Sequence, residues 1–200
     1  MAGHEDPETG LVNVMHWMYA RGLVQVRGGN ASIVNRGRGV VYITPTGVPR
    51  PLITRGDIAL ISLEDGSVIR GSPSSEWRMH LAIYRRVEEA LSIVHAHPPY
   101  TIAADLAGAK LDPKILAEAS YTIKCIATIP QLTPGTWELA NTVAETLEET
   151  NCNAAVLKGH GAVAYSDKTI YHALEAIEAL EELAKITIIA TNKGTDGWRV

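Results

Sequence analysis

Residues 92–100 read SIVHAHPPY. Ser92 to His97 is a short run with β-branched Ile93 and Val94, closed by Pro98 and Pro99, and it reads as a strand. Successive strand side chains point to opposite faces. His95 and His97 therefore share one face, roughly 7 Å apart along the chain. Imidazoles are costly to bury without partners, so this strand asks what the two rings are for.

Working outward, SPSSEWRMHLAIYRRVEEA precedes the strand. Ser74 and Ser75 stand where a helix N-cap belongs, and Trp77, Leu81, Tyr84 and Val87 form an apolar face. Further upstream, ASIVN and GVVYIT flank RGRG, and IALISL and SVIRG flank EDG. Both read as hairpins. Leu11, Met15, Met18 and Tyr19 recur at helical spacing, with Gly22 as the stop. Downstream, a helix follows Pro98–Pro99 and a short one follows Pro113. YTIKCIATIP (121–130) reads as β, and residues 134–149 as helix. NAAVLKGHGAVAYS reads as two strands broken at Gly159–Gly161, and Lys168–Lys193 as a long helix. Hairpins dominate the first half. The fold class is thus α/β, with a mainly antiparallel sheet covered by helices rather than a βαβ nucleotide fold.

The chain has 200 residues, 46% hydrophobic and 20% charged, as in a globular protein built as one domain over 1–200. Its net charge of -4 and the absence of a basic stripe argue against nucleic acid. The polar start MAGHEDPETG is not a signal peptide, and no apolar run reaches membrane-spanning length. Cys125 and Cys152 form no CxxC motif. They read as two reduced structural thiols in a cytoplasmic setting.

A third imidazole, His160, lies in K-G-H-G (158–161), where glycines allow close backbone approach. Three histidines suit a catalytic zinc site with an open position. The alternative is a surface or a satisfied histidine pair, and spacing alone does not bring His160 to the strand. Glu76 is either a helix-start carboxylate near the dipole or a metal ligand and general base. His80, one turn on, reads as a supporting or packing residue. Three clusters, G-G-N (28–30), T-P-T-G (44–47) and P-S-S (73–75), offer N–H groups and hydroxyls to an anion. Each alone reads as a plain turn.

The ordered set GGNAS, ITPTG, PSSEWRMHLAIYRR, HAHPPY and KGHGAVAY resembles the class II aldolase/adducin family, closest to its L-fuculose-1-phosphate aldolase branch. The match runs from about residue 10 to 190. The resemblance implies a three-layer α/β sandwich assembled as a homotetramer, with sites between subunits. It implies one Zn2+ per chain on His95, His97 and His160, with Glu76 as catalytic acid/base and as a ligand when substrate is absent. Asn30, Thr46, Gly47, Ser74 and Ser75 correspond to the phosphate pocket. The reaction implied is reversible cleavage of a ketose 1-phosphate to dihydroxyacetone phosphate and a short aldehyde. The alternative within the family is a methylthioribulose-1-phosphate dehydratase-like lyase. A sugar-phosphate epimerase fits less well, because that branch has aspartate where Glu76 stands. A non-catalytic adducin-like domain would lack the histidines. Tyr121 is the nearest candidate for the tyrosine that a neighbouring subunit gives to the aldehyde oxygen, although the intervening segment differs in length. The tail tyrosine of longer relatives has no counterpart near TDGWRV.

Overall fold

The computed structural model describes residues 6–191. Helix α1 (Pro7–Ala20) is capped by Asp6, whose carboxylate accepts from Thr9 N at 3.1 Å. It ends on a Schellman turn: Leu23 N donates to Met18 O and Gly22 N to Tyr19 O, with Gly22 at φ +70°. Strands β1 (Asn30–Asn35), β2 (Val40–Ile43), β3 (Ala59–Ser62) and β4 (Val68–Arg70) follow as the two expected hairpins. Then come α2 (Trp77–Arg86), β5 (Ser92–Ala96), α3 (Pro99–Leu106), α4 (Ala117–Thr122), β6 (Ile126–Ile129), α5 (Trp137–Thr150), β7 (Ala154–Leu157), β8 (Gly161–Ser166) and α6 (Ile170–Thr191).

The eight strands make one sheet in the order β4-β3-β2-β1-β5-β8-β7-β6. The sheet expected to be mainly antiparallel is a mixed one. β6 runs parallel to β7 because α5 crosses over between them, as a parallel pair requires. The remaining neighbours are antiparallel. Helices cover both faces. Val94 and Ala96 of β5 join α1 and α6 in one core, with Leu11, Met15, Leu174 and Ile177. Ile93 joins α2 and α5 in the other, with Met79, Ile83, Leu139 and Val143. His95 has the parity of Ile93, so it faces the α2 side.

Three expectations are corrected. Tyr121 lies in α4, and β6 covers only Ile126–Ile129 of the stretch expected as β. Ser74 and Ser75 do not cap α2: the N-cap position is Glu76, which makes no side-chain cap bond. Cys125 and Cys152 are not free thiols but a disulfide, with Cα atoms 4.7 Å apart. It ties the approach to β6 to the end of α5, two segments that the crossover returns to adjacent positions. The cytoplasmic setting inferred from free thiols loses that support. No helix among the described residues is long and apolar enough to cross a membrane. MAGHE, Lys193 and TDGWRV lie outside the described residues.

Candidate metal centre and anion loops

Sheet topology assembles the centre. β5 lies between β1 and β8, antiparallel to both. The start of β1, the end of β5 and the turn before β8 therefore meet at one end of the sheet. Asn30 pairs with His95, His95 with Val163, and Ala96 with Ala162. The ring centroids of His95, His97 and His160 are 4.8–5.2 Å apart. α2 enters from the covered face and presents Glu76. One ligand atom from each of Glu76, His95, His97 and His160 lies within 4.8 Å of the others.

The donor set fits a cation. His95 Nδ1–H donates to Ala162 O at 2.9 Å, and His97 Nδ1–H to Gln25 Oε1 at 3.1 Å. Such bonds fix the tautomer and leave Nε2 as the ligand atom. The two Nε2 atoms then face each other at 3.1 Å, with Glu76 Oε2 2.9 Å from that of His95. A single proton can serve one of these contacts; a divalent cation serves them all. Glu76 Oε1 and His160 Nδ1 are buried without a hydrogen-bond partner. Nitrogen and carboxylate donors of this kind suit zinc and its neighbours in the first transition row.

The electrostatics agree. Burial, then His95 and His160, pushes His97 down to about 3. Burial and His95 also lower His160. Neutral imidazole is the ligating form. Burial alone would raise the Glu76 carboxyl, but His95, His160 and the Asn30 amide outweigh it and hold it below the usual carboxylate range.

Behind Glu76 runs a buried polar chain. His80 is fully buried, and burial with His95 lowers it to about 3, against the pull of Glu76. It is therefore neutral, with one donor and one acceptor. Its Nε2 meets Asn30 Oδ1, which only accepts, so Nε2 carries the hydrogen. Its Nδ1 then accepts from Ser32 Oγ at 2.6 Å. Ser32 in turn accepts from Tyr84 OH at 2.8 Å. The chain runs one way, Tyr84 to Ser32 to His80 to Asn30, and ends with Asn30 Nδ2 donating to Glu76 Oε2 at 3.2 Å.

The three small-residue clusters also meet. Thr46 N donates to Ser72 O and Ser74 N to Thr44 O, both at 3.0 Å, and Pro45 bridges Pro73. Thr44 Oγ1 accepts from Ala31 N at 3.0 Å, just after Asn30. Ser74 Oγ accepts from Glu76 N at 3.3 Å. Thr46, Gly47 and Ser75 are exposed at this end, whereas Asn30 and Ser74 are buried. Tyr121 is elsewhere: 90% exposed, it lines a cleft of about 410 Å³ with Lys124, Tyr165 and His172, and that cleft shares no residue with the histidine cluster. Sequence reading missed Gln25, Ser32, Tyr84 and Arg50. Ser32, Tyr84 and Gln25 meet their partners 48 to 72 residues away, Arg50 reaches carbonyls 2 to 23 residues back along the chain, and no local pattern marks them.

Residues 9–188 match the profile of the Class II Aldolase and Adducin N-terminal domain. The chain belongs to the class II aldolase and adducin family. L-fuculose phosphate aldolase of Methanococcus maripaludis is 36% identical over 184 residues, 92% of this chain and 97% of that protein. 5-Deoxy-D-ribulose 1-phosphate aldolase of Bacillus thuringiensis is 35% identical over 173 residues, 84% and 78% of the two chains. The crystal structure of L-fuculose-1-phosphate aldolase from Thermus thermophilus superposes with a TM-score of 0.83 at 29% identity, covering 96% of this chain and 98% of that one. Relatives named as aldolases are lyases, and this class II aldolase family member is an enzyme of that kind.

Proposed function

We propose that the chain is a zinc-dependent aldolase that cleaves a short deoxyketose 1-phosphate reversibly to dihydroxyacetone phosphate and an aldehyde. The observation that carries this reading is the convergence of Glu76 with three histidines beside loops rich in N–H groups and hydroxyls. Curated relatives named for L-fuculose phosphate and 5-deoxy-D-ribulose 1-phosphate support the substrate class.

His95, His97 and His160 would hold the ion, with Glu76 as its movable fourth ligand. A divalent cation there supplies a Lewis acid that stabilises negative charge next to the ketose carbonyl. The chain's own residues do the rest. In cleavage, the C4 hydroxyl loses its proton, the C3–C4 bond breaks and C3 gains a proton from Glu76. In condensation, ionised Glu76 takes that proton back from C3. Asn30 aims the carboxylate through Nδ2 while Thr46, Gly47, Ser74 and Ser75 receive the phosphate. The enzyme would be a homotetramer, and Tyr121 of a neighbouring subunit would serve the aldehyde oxygen.

The test is metal analysis joined to a substrate panel. The protein should carry about one zinc per chain, and His95→Ala and His97→Ala should lose metal and activity together. Fuculose 1-phosphate and 5-deoxyribulose 1-phosphate should release dihydroxyacetone phosphate. Loss of water from methylthioribulose 1-phosphate, with no carbon–carbon cleavage of any ketose, would replace the aldolase with a dehydratase. Full zinc occupancy in both histidine variants would sink the metal assignment.

A further inference from the structure

The turn after TPTG buries a cation that the reaction above leaves unused. Arg50 opens the 3-10 turn Arg50–Leu52 and is 3% exposed. Its Nε donates to Gly28 O at 2.9 Å, and Nη2 to Arg27 O and Gly29 O at 2.9 and 2.8 Å. Nη1 donates to Pro45 O at 3.0 Å and Val48 O at 3.5 Å. Guanidinium has five N–H groups, and here all of them go to main-chain carbonyls. Those carbonyls come from two loops, the one ending in G-G-N and the one containing T-P-T-G.

Among the described residues no carboxylate lies within ion-pair distance of Arg50. Burial lowers its pKa to about 10, so the group stays protonated at neutral pH. Isolated buried charges are costly, and in a medium of low dielectric their field reaches further than in water. The clamp also sets peptide direction. In a trans peptide the N–H points opposite to the C=O. With the Gly28 carbonyl turned to Arg50, the Gly29 N–H points away from the guanidinium, and it has no hydrogen-bond partner among the described residues.

We propose that Arg50 is the positioning residue of the anion subsite: it clamps both loops through their carbonyls and lends the bound phosphate a positive charge that no carboxylate among the described residues pairs with. This rests on the ketose 1-phosphate reading of the site. It also explains how loops without an inward lysine can select a dianion. The carbonyl bonds are spent on shape, and the charge is left for the ligand.

The experiment compares wild type, Arg50→Gln and Arg50→Lys, all metal-loaded. Inorganic phosphate is titrated by calorimetry from pH 7.5 to 10, with thermal melts alongside and steady-state cleavage of fuculose 1-phosphate. Arg50→Gln should weaken phosphate binding by about tenfold or more and raise KM similarly with kcat little changed, the pattern of binding shared by ground and transition states. Arg50→Lys keeps the charge but not the fork. It should melt lower and, with the charge kept but the loops less well held, bind phosphate more weakly than wild type and more tightly than Arg50→Gln at pH 7.5. A buried ammonium loses its proton below the ordinary lysine value, so its affinity relative to wild type should then fall towards pH 10. A purely structural clamp would lower the melting temperature without that pH dependence. Wild-type phosphate affinity in Arg50→Gln overturns the proposal. Should that variant not fold, a constant ratio of Arg50→Lys to wild-type affinity through pH 10 overturns it instead. A wild type that binds phosphate but cleaves no ketose 1-phosphate would defeat the aldolase reading and leave Arg50 standing.

Discussion

Glu76 occupies the N-cap of α2 yet spends its carboxylate on the histidines. A cap would accept from N–H groups of the first turn; Glu76 instead reaches His95 Nε2 at 2.9 Å and Asn30 Nδ2 at 3.2 Å. Glu76→Gln keeps the size and an oxygen ligand but cannot carry a proton. It should retain zinc while turnover falls by about 10²–10⁴-fold, the usual loss for a positioned base. Exchange of the C3 proton of dihydroxyacetone phosphate with deuterated water isolates that step. Normal exchange with zinc in place would return Glu76 to a mere helix-start carboxylate. The buried rings give a second expectation, for the metal-free protein. His80 and His97 are each held near 3, below the ordinary value of 6.5. Between those limits the unfolded chain binds more protons than the folded one, so stability is full above about pH 6.5 and drains as pH falls towards 3. Each group contributes a slope of about 1.4 kcal/mol per pH unit at most. Melting curves from pH 7 to 4 check this: His80→Gln should flatten the profile, and an unchanged profile would mean that His80 is protonated in the fold. Period-two spacing made the histidine pair legible. The chain behind Glu76 was not, because Ser32 and Asn30 lie 48 and 50 residues from His80.

At the scale of elements, function depends on strand ends meeting. β5 brings His95, and the β7–β8 turn brings His160 only if Gly161 can press against β5. A Cβ on Gly161 would lie 2.2 Å from Ala96 O and 3.0 Å from His97 Cδ2. The nearer atom is main chain in a central strand and has little freedom to move. Gly161→Ala should therefore cost about 1–3 kcal/mol, the range for overpacking, and lower metal affinity because His97 must shift. Thermal melts and zinc titration check both; wild-type zinc affinity would separate the glycine from the centre. Sequence alone made these glycines suspicious and both hairpins plain, since turn residues sit between alternating strands. It misplaced Tyr121, because a six-residue helix directly before β6 has too little length to show a period. The reduced state assigned to the cysteines failed for a related reason: only the α5 crossover brings Cys125 and Cys152 together.

For the whole molecule, the question is what covers the surface around Tyr121. Leu106, Ile115 and Tyr121 are 76%, 55% and 90% exposed within sixteen residues of chain, a density of large apolar groups that marks contact surfaces. Tyr121 also lines a cleft that shares no residue with its own chain's cluster of His95, His97 and His160. Both features fit a tyrosine that serves a neighbour. Sedimentation should give four chains of 21.6 kDa, and Tyr121→Phe should lose ketose cleavage while retaining proton exchange on dihydroxyacetone phosphate. The decisive measurement is complementation. Glu76→Gln and Tyr121→Phe are each expected to be nearly inactive in cleavage alone. In a cyclic tetramer assembled from equal amounts of both, each site takes Glu76 from one chain and Tyr121 from the next, so about a quarter of the sites regain both. Co-expressed and co-purified, the hybrid should recover cleavage to that order, and unfolding and reassembling mixed homotetramers should do the same. Recovery needs the two residues of one site to come from different chains. If Tyr121 served its own chain's site, or only stabilised an interface, no mixture would exceed the activity of its parts.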